Sequence, residues 1–225
     1  MCIRDSYFIV FGAAIGTKIS TIDNVSYGAF IVPGLIMLSI MTTSVNFAAF
    51  GIYLPKYNGS IFEIMSAPIS AYEIVIGYAG AAVSKSLLIS VLILFTSTIF
   101  VDFYIKHPLL MLFLLILISI TFSLFGFIVG IWATNFEKLQ LIPLLIITPL
   151  VFLGGSFYSV EMLPELWQFV TKFNPIFYVI NGFRWSFFGT ADIAITTSLS
   201  FIITFLFICL IIIGLIFKTG YRIKG

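Results

Sequence analysis

Apolar residues run through this chain in long blocks, each ended by a short polar gap. Blocks at residues 29–54, 74–101, 108–133, 139–157 and 193–217 each supply the roughly 20 residues that a helix needs to cross a hydrocarbon core. A shorter block, Tyr7 to Gly16, reaches about 15 Å at ~1.5 Å per residue, half of that thickness. It reads as a truncated first span behind a foreign leader, residues 1–6, whose polar character does not match the apolar block it joins. The pattern predicts an all-α membrane protein: one domain over 1–225, a polytopic bundle of six transmembrane helices with the first incomplete.

Two of the gaps are more than turns. In the segment 55–73, Asn58-Gly59-Ser60 is turn chemistry, and Ser60 with Glu63 fits a capping box, so a short helix of one to two turns is expected there. A plain linker with a capped turn fits the same residues. In the segment 158–192, the preceding apolar run ends at Gly154-Gly155, where each glycine costs a helix about 1 kcal/mol. Ser159 and Glu161 suit a helix start and Pro164 a first turn. Leu163, Leu166, Trp167 and Val170 then repeat at i, i+3, i+4, i+7, with Glu165, Gln168 and Lys172 off that face, as in a helix lying along a membrane surface. Asn174-Pro175 stops it, and Ile176, Ile180, Phe183 and Phe187 form a second stripe with Arg184 beside it. Two short helices in an amphipathic hairpin before the last span are predicted.

Composition narrows the class. The chain is 61% hydrophobic and 9% charged, far from the roughly 45–50% and 25% of soluble domains, with a mean hydropathy of +1.19. A net charge of +2 from scattered basic residues excludes a nucleic-acid surface. The two cysteines, Cys2 and Cys209, build neither a disulfide framework nor a metal site. His107 has no cysteine or carboxylate cluster around it, so no catalytic triad or metal centre is expected, and no phosphate-binding G-x-x-x-x-G-K-[ST] loop occurs. Acidic residues fall at span ends or in loops, which disfavours ion-coupled transport. Lys85, about a third of the way along its block, is either a functional intramembrane charge or a lysine that snorkels to the interface. Thr42, Thr43, Ser44 and Asn46 suit helix–helix hydrogen bonds or a pathway equally, and Gly126 with Gly130 has a close-packing spacing. Lys56, Lys138, Lys218, Arg222 and Lys224 on one side against Lys18, Lys106, Lys172 and Arg184 on the other favour a cytoplasmic C-terminus.

Several separated motifs carry a resemblance. Leu-Gly-Gly-Ser-Phe-Tyr-Ser at 153–159, Leu163-Pro164, Trp167, Asn174-Pro175, Tyr178 and Gly182-Phe183-Arg184 resemble the C-terminal signature of the bacterial ABC-2 type export permeases. Pro33-Gly34-Leu35-Ile36-Met37 and Ala67-Pro68-Ile69-Ser70 extend the likeness towards the N-terminus. The resemblance implies a multi-pass permease of the bacterial cytoplasmic membrane, not an enzyme, that exports an amphiphilic, lipid-, polysaccharide- or drug-like substrate. It implies a homodimer or heterodimer of permeases with a separate ABC ATPase that binds ATP and Mg²⁺, and no cofactor in this chain. Ser60, Ile61, Phe62, Glu63, Met65 and Pro68 would form the cytoplasmic coupling helix, and Gly154, Gly155, Pro164, Trp167, Asn174, Pro175 and Arg184 the outer hairpin gate. The hairpin aromatics Trp167, Phe173, Phe177, Tyr178, Phe183 and Trp185 read equally as an interfacial belt. A non-transporting membrane scaffold is the other reading of the whole chain.

Overall fold

The computed structural model of the chain describes residues 21–22 and 25–220; the Tyr7–Gly16 block, the leader and the basic residues Lys18, Arg222 and Lys224 lie outside them. After a two-rung antiparallel ladder, Thr21–Ile22 with Val25–Ser26, the described chain is helical. In order come α1 (Tyr27–Asn58), α2 (Ile61–Ser66), α3 (Ala71–Phe100), α4 (Pro108–Trp132), α5 (Phe136–Leu141), a π-helical turn (Ile142–Ile147), α6 (Thr148–Leu153), a 3₁₀ turn (Val160–Met162), α7 (Glu165–Lys172), α8 (Pro175–Phe188) and α9 (Ile195–Thr219). Among the described residues, five helices are long and apolar enough to cross a membrane: α1, α3, α4, the continuous stretch Phe136–Leu153, and α9.

These spans alternate in direction, which gives the bundle two ends. One carries residues 101–107 and the whole segment 154–194, and the other carries α2 and the start of α5. α1 is the axis, with 83% of its most apolar window buried, whereas the corresponding window of α3 is 17% buried. The main core joins α1, α4 and α8 through Ile36, Ile40, Leu114, Ile118, Ile180 and Phe183. Gly126 and Gly130 let α4 lie directly on α1, since a Cβ at Gly126 would come within 2.5 Å of the Val45 carbonyl oxygen. Their expected packing role is what the structure displays.

Local chemistry moves several expected boundaries. α1 does not stop at Pro55 but continues to Asn58, where Gly59 ends it with φ 80°. The chain has therefore turned before Ser60, which is itself in the helical region (φ −62°, ψ −15°) and makes no side-chain cap. The capping box expected at Ser60 and Glu63 is corrected to Ser70 and Glu73. Extended Ser70 (ψ 151°) accepts at Oγ from the Glu73 N–H at 3.3 Å, and its own N–H donates to Glu73 Oε2 at 2.7 Å.

α3 consequently begins early, at Ala71, and Lys85 stands halfway along it, not a third. Its ammonium lies 3.2 Å from the centroid of the Phe47 ring on α1. The Pro143 and Pro149 region stays helical by widening. Pro149 brings no N–H, and the N–H and the hydroxyl of Thr148 both donate to the Pro143 carbonyl, the hydroxyl at 2.9 Å.

Candidate functional site

The end opposite α2 is where Pro33-Gly34 and the motifs of residues 153–184 meet. At Gly154 the span Phe136–Leu153 stops, and Gly155 at φ 79° turns the chain back across α1. There Gly34 leaves room for the Ser156 carbonyl, into which a Cβ would run. The Tyr27 hydroxyl donates to the Phe157 carbonyl at 3.2 Å, and Ser156 Oγ to the Val151 carbonyl at 2.8 Å. Pro33-Gly34 and Leu153–Ser159 are thus the two halves of one joint.

α8 fills the bundle behind that joint. Asn174 accepts from the Ile176 N–H at 3.0 Å, Pro175 occupies the first helical position, and Gly189 (φ 73°) closes the helix. Asn174 also donates to the Leu150 carbonyl at 2.6 Å, tying the hairpin tip to α6. The stripe Ile176, Ile180, Phe183 and Phe187 is buried, and Val179 and Phe177 are buried too. Phe177 and Phe183 therefore belong to the core and not to an interfacial belt, because neighbouring helices cover both flanks of α8. At its far end, the Ser186 and Phe187 carbonyls accept from the N–H groups of His107 and Lys106, at 3.0 and 2.9 Å. The His107 ring stacks on Trp185, with centroids 4.8 Å apart.

Arg184 is the most consequential residue of α8. Counted in the sequence among the charges of the outer side, it is 4% exposed. One guanidinium nitrogen donates to the Gly155 carbonyl, and the group lies 4.2 Å from the centroid of the Phe30 ring. A buried cation needs such partners, and here they hold the glycine turn, α1 and α8 together. Phe30 and Asn181 carry no motif signal in the sequence. Asn181 is fully buried, donates to the Phe177 carbonyl at 3.1 Å and accepts from the Asp192 N–H at 3.2 Å, which fixes the loop into α9.

α7 differs. Pro164 is its N-cap residue, not a first-turn residue, and its carbonyl accepts from the N–H groups of Trp167 and Gln168 at 2.9 and 3.1 Å. Leu166, Trp167, Phe169, Val170 and Phe173 are all exposed. Between α6 and α7 a groove of about 570 Å³ runs along Leu150, Leu153, Tyr158, Leu163 and Trp167. The Tyr158 hydroxyl donates to the Leu153 carbonyl at 3.2 Å, and burial pushes its phenol above the ordinary range.

At the opposite end, α2 is held to the bundle by Ile61, with half-buried Ile64 facing the same residues. Ile61 is 4% exposed in a cluster with Ile52, Val75, Phe127 and Ile131, whereas Phe62, Glu63 and Pro68 are exposed to differing degrees; the Met65 side chain lies outside the described part. Lys56 Nζ donates to the carbonyls of Ile131 and Ala133, the latter at 3.3 Å, and so closes the C-terminus of α4. Thr42 donates to the Leu38 carbonyl at 2.7 Å, Ser44 is fully buried, and Asn46 is half-buried. Among the described residues no three His, Cys, Asp or Glu side chains come together as a metal would require.

The family model for ABC-2 type transporters matches residues 6–188. The chain is 38% identical over 207 residues to the inner membrane transport permease YadH of Escherichia coli strain K12, covering 90% of this chain and 81% of that one. It is 29% identical over 191 residues to nodulation protein J of Rhizobium leguminosarum bv. viciae, covering 81% and 71%. With its apolar helices and these relatives, the chain is a multi-pass cytoplasmic-membrane protein and belongs to the ABC-2 type transporter family.

Proposed function

We propose that this chain is the permease subunit of an ATP-driven exporter, that α2 couples it to a separate ABC ATPase, and that the α7–α8 hairpin gates the opposite side. The observation carrying the reading is α2 itself: a six-residue helix fastened by buried Ile61 that turns Phe62 and Glu63 outward, at the end of the bundle remote from the hairpin. A chain without a nucleotide-binding loop depends on such a contact for ATP-driven movement. Energy from a partner would enter at α2 and travel through α1 and α3, the helices that flank it.

The α2 end is the cytoplasmic one in this reading. Among the described residues it holds Lys56, Lys138 and Lys218, against Lys106 and Lys172 at the hairpin end, once Arg184 is counted as buried. Two permease copies, identical or related, enclose the pathway. The substrate is an amphiphile of lipid, polysaccharide or drug type. α7 lies along the outer membrane surface, with Leu166, Trp167, Phe169 and Val170 towards the acyl boundary.

The test is co-purification and ATPase stimulation. Phe62→Ala with Glu63→Ala should leave the permease inserted and abolish ATPase co-purification, whereas Leu166→Ala with Trp167→Ala should keep it. Phe177 is unsuitable as a control because it is 1% exposed and its truncation would open a cavity. Wild-type ATPase binding by the Phe62/Glu63 variant would sink the coupling assignment.

A further inference from the structure

Between the ends of α4 and α9 on the α2 side lies an open groove of about 450 Å³, lined by Ile128, Ile131 and Trp132 from α4 and by Ile212, Leu215, Ile216 and Thr219 from α9. Its walls are aliphatic, and no carboxylate is among the lining residues. Trp132, Ile212 and Leu215 are exposed at 46%, 37% and 54%, so nothing in the described chain covers it. An aliphatic slot whose mouth bears an indole has the dimensions and polarity of a site for a lipid chain entering from the interface.

The charges at the mouth say which lipid. Three lysines stand at this end, and one is already engaged: Lys56 closes the C-terminal carbonyls of α4, answering the negative end of that helix. Lys138 is not needed there. It is the third residue of the continuous helical stretch Phe136–Leu153, near the end where the dipole disfavours a cation, and its ammonium lies 5.9 Å from the centroid of the Trp132 ring that lines the groove. It donates to Thr134 Oγ1 at 2.9 Å. Lys218 is exposed in the last turn of α9, between the groove residues Ile216 and Thr219. Lys138 thus stands beside a ring that lines the slot, and Lys218 belongs to the turn of α9 that supplies Ile216 and Thr219 to it.

We propose that this groove is a binding site for one anionic phospholipid, its acyl chain along Ile128, Ile212 and Leu215 and its phosphate between Lys138 and Lys218. The groove is lined by α4 and α9 and by no residue of α2 or of the hairpin, and the lipid titration below contains no ATPase, so its outcome does not depend on the coupling reading. Selectivity rests on the lysines, retention on the slot.

Native mass spectrometry of the purified full chain, titrated with phosphatidylglycerol or phosphatidylcholine and with no ATPase present, tests it. One phosphatidylglycerol should be retained with a preference on the order of tenfold. Lys138→Gln with Lys218→Gln should remove that preference, Lys138→Arg with Lys218→Arg should keep it, and Ile212→Trp, which fills the slot, should reduce retention of both lipids. Both lysines are outside the core, so the variants fold as the parent does. Equal retention of the two lipids by the parent chain, or an undiminished preference in the glutamine variant, overturns the proposal.

Discussion

α7 and α8 are consecutive short helices joined at Phe173-Asn174, and the bundle treats them in opposite ways. α7 has the sharper segregation of apolar and polar faces, with Leu166, Trp167 and Val170 on one side and Glu165, Gln168 and Lys172 on the other, yet it leaves Trp167 51% and Leu166 70% exposed. α8 carries an arginine and an asparagine among its aromatics and has Ile180, Asn181, Phe183 and Phe187 fully buried. Amphipathicity therefore reports that a helix has two environments, not that the apolar one is protein. In α8 the polar groups are retained because each has somewhere to go: Arg184 to the Gly155 carbonyl and the Phe30 face, Asn181 to Phe177 and Asp192. In α7 the apolar face is left exposed by the bundle, and in the proposed reading the lipid boundary covers it, so that its side chains would stabilise the position of the helix in the membrane more than the packing of the bundle.

Substitutions sharpen the contrast. The largest expected effect is in the core of α8: Phe183→Ala should cost about 3–5 kcal/mol, seen as a large fall in the melting temperature of the detergent-purified chain. A loss below about 1 kcal/mol would mean that α8 does not sit in the core as described. Next comes Arg184→Met, which keeps the volume, removes the donor to Gly155 and leaves the Phe30 ring without its cation. A loss of about 2–3 kcal/mol is expected, with Arg184→Lys recovering only part of it, since a point charge does not reproduce the planar guanidinium on the ring. Identical melting of Arg184→Met and the parent would remove Arg184 from the joint. Smallest is Trp167→Ala in α7, expected within about 0.5 kcal/mol of the parent in detergent while weakening attachment of α7 to the bilayer. Quenching of Trp167 fluorescence by brominated lipid checks the second half, and a water-exposed indole would break the comparison.

Much of this architecture is set by local sequence alone. The apolar blocks locate the five described spans, Gly154-Gly155 and Asn174-Pro175 mark two real chain reversals, and the spacing of Gly126 and Gly130 marks a helix contact, because each signal acts within a few residues. The cap at Ser60 failed for the same local reason read one step too late: Gly59 had already set the backbone, leaving Ser60 helical and moving the capping box to Ser70. What sequence pattern left open was which environment each apolar or charged side chain would meet. Only the packed bundle brings Gly34 under the Ser156 carbonyl, places Phe30 beneath Arg184, and covers Phe177 while leaving Trp167 exposed. These contacts join residues more than a hundred positions apart, or helices whose neighbours are fixed by close packing against α1, and local periodicity holds no record of such distances.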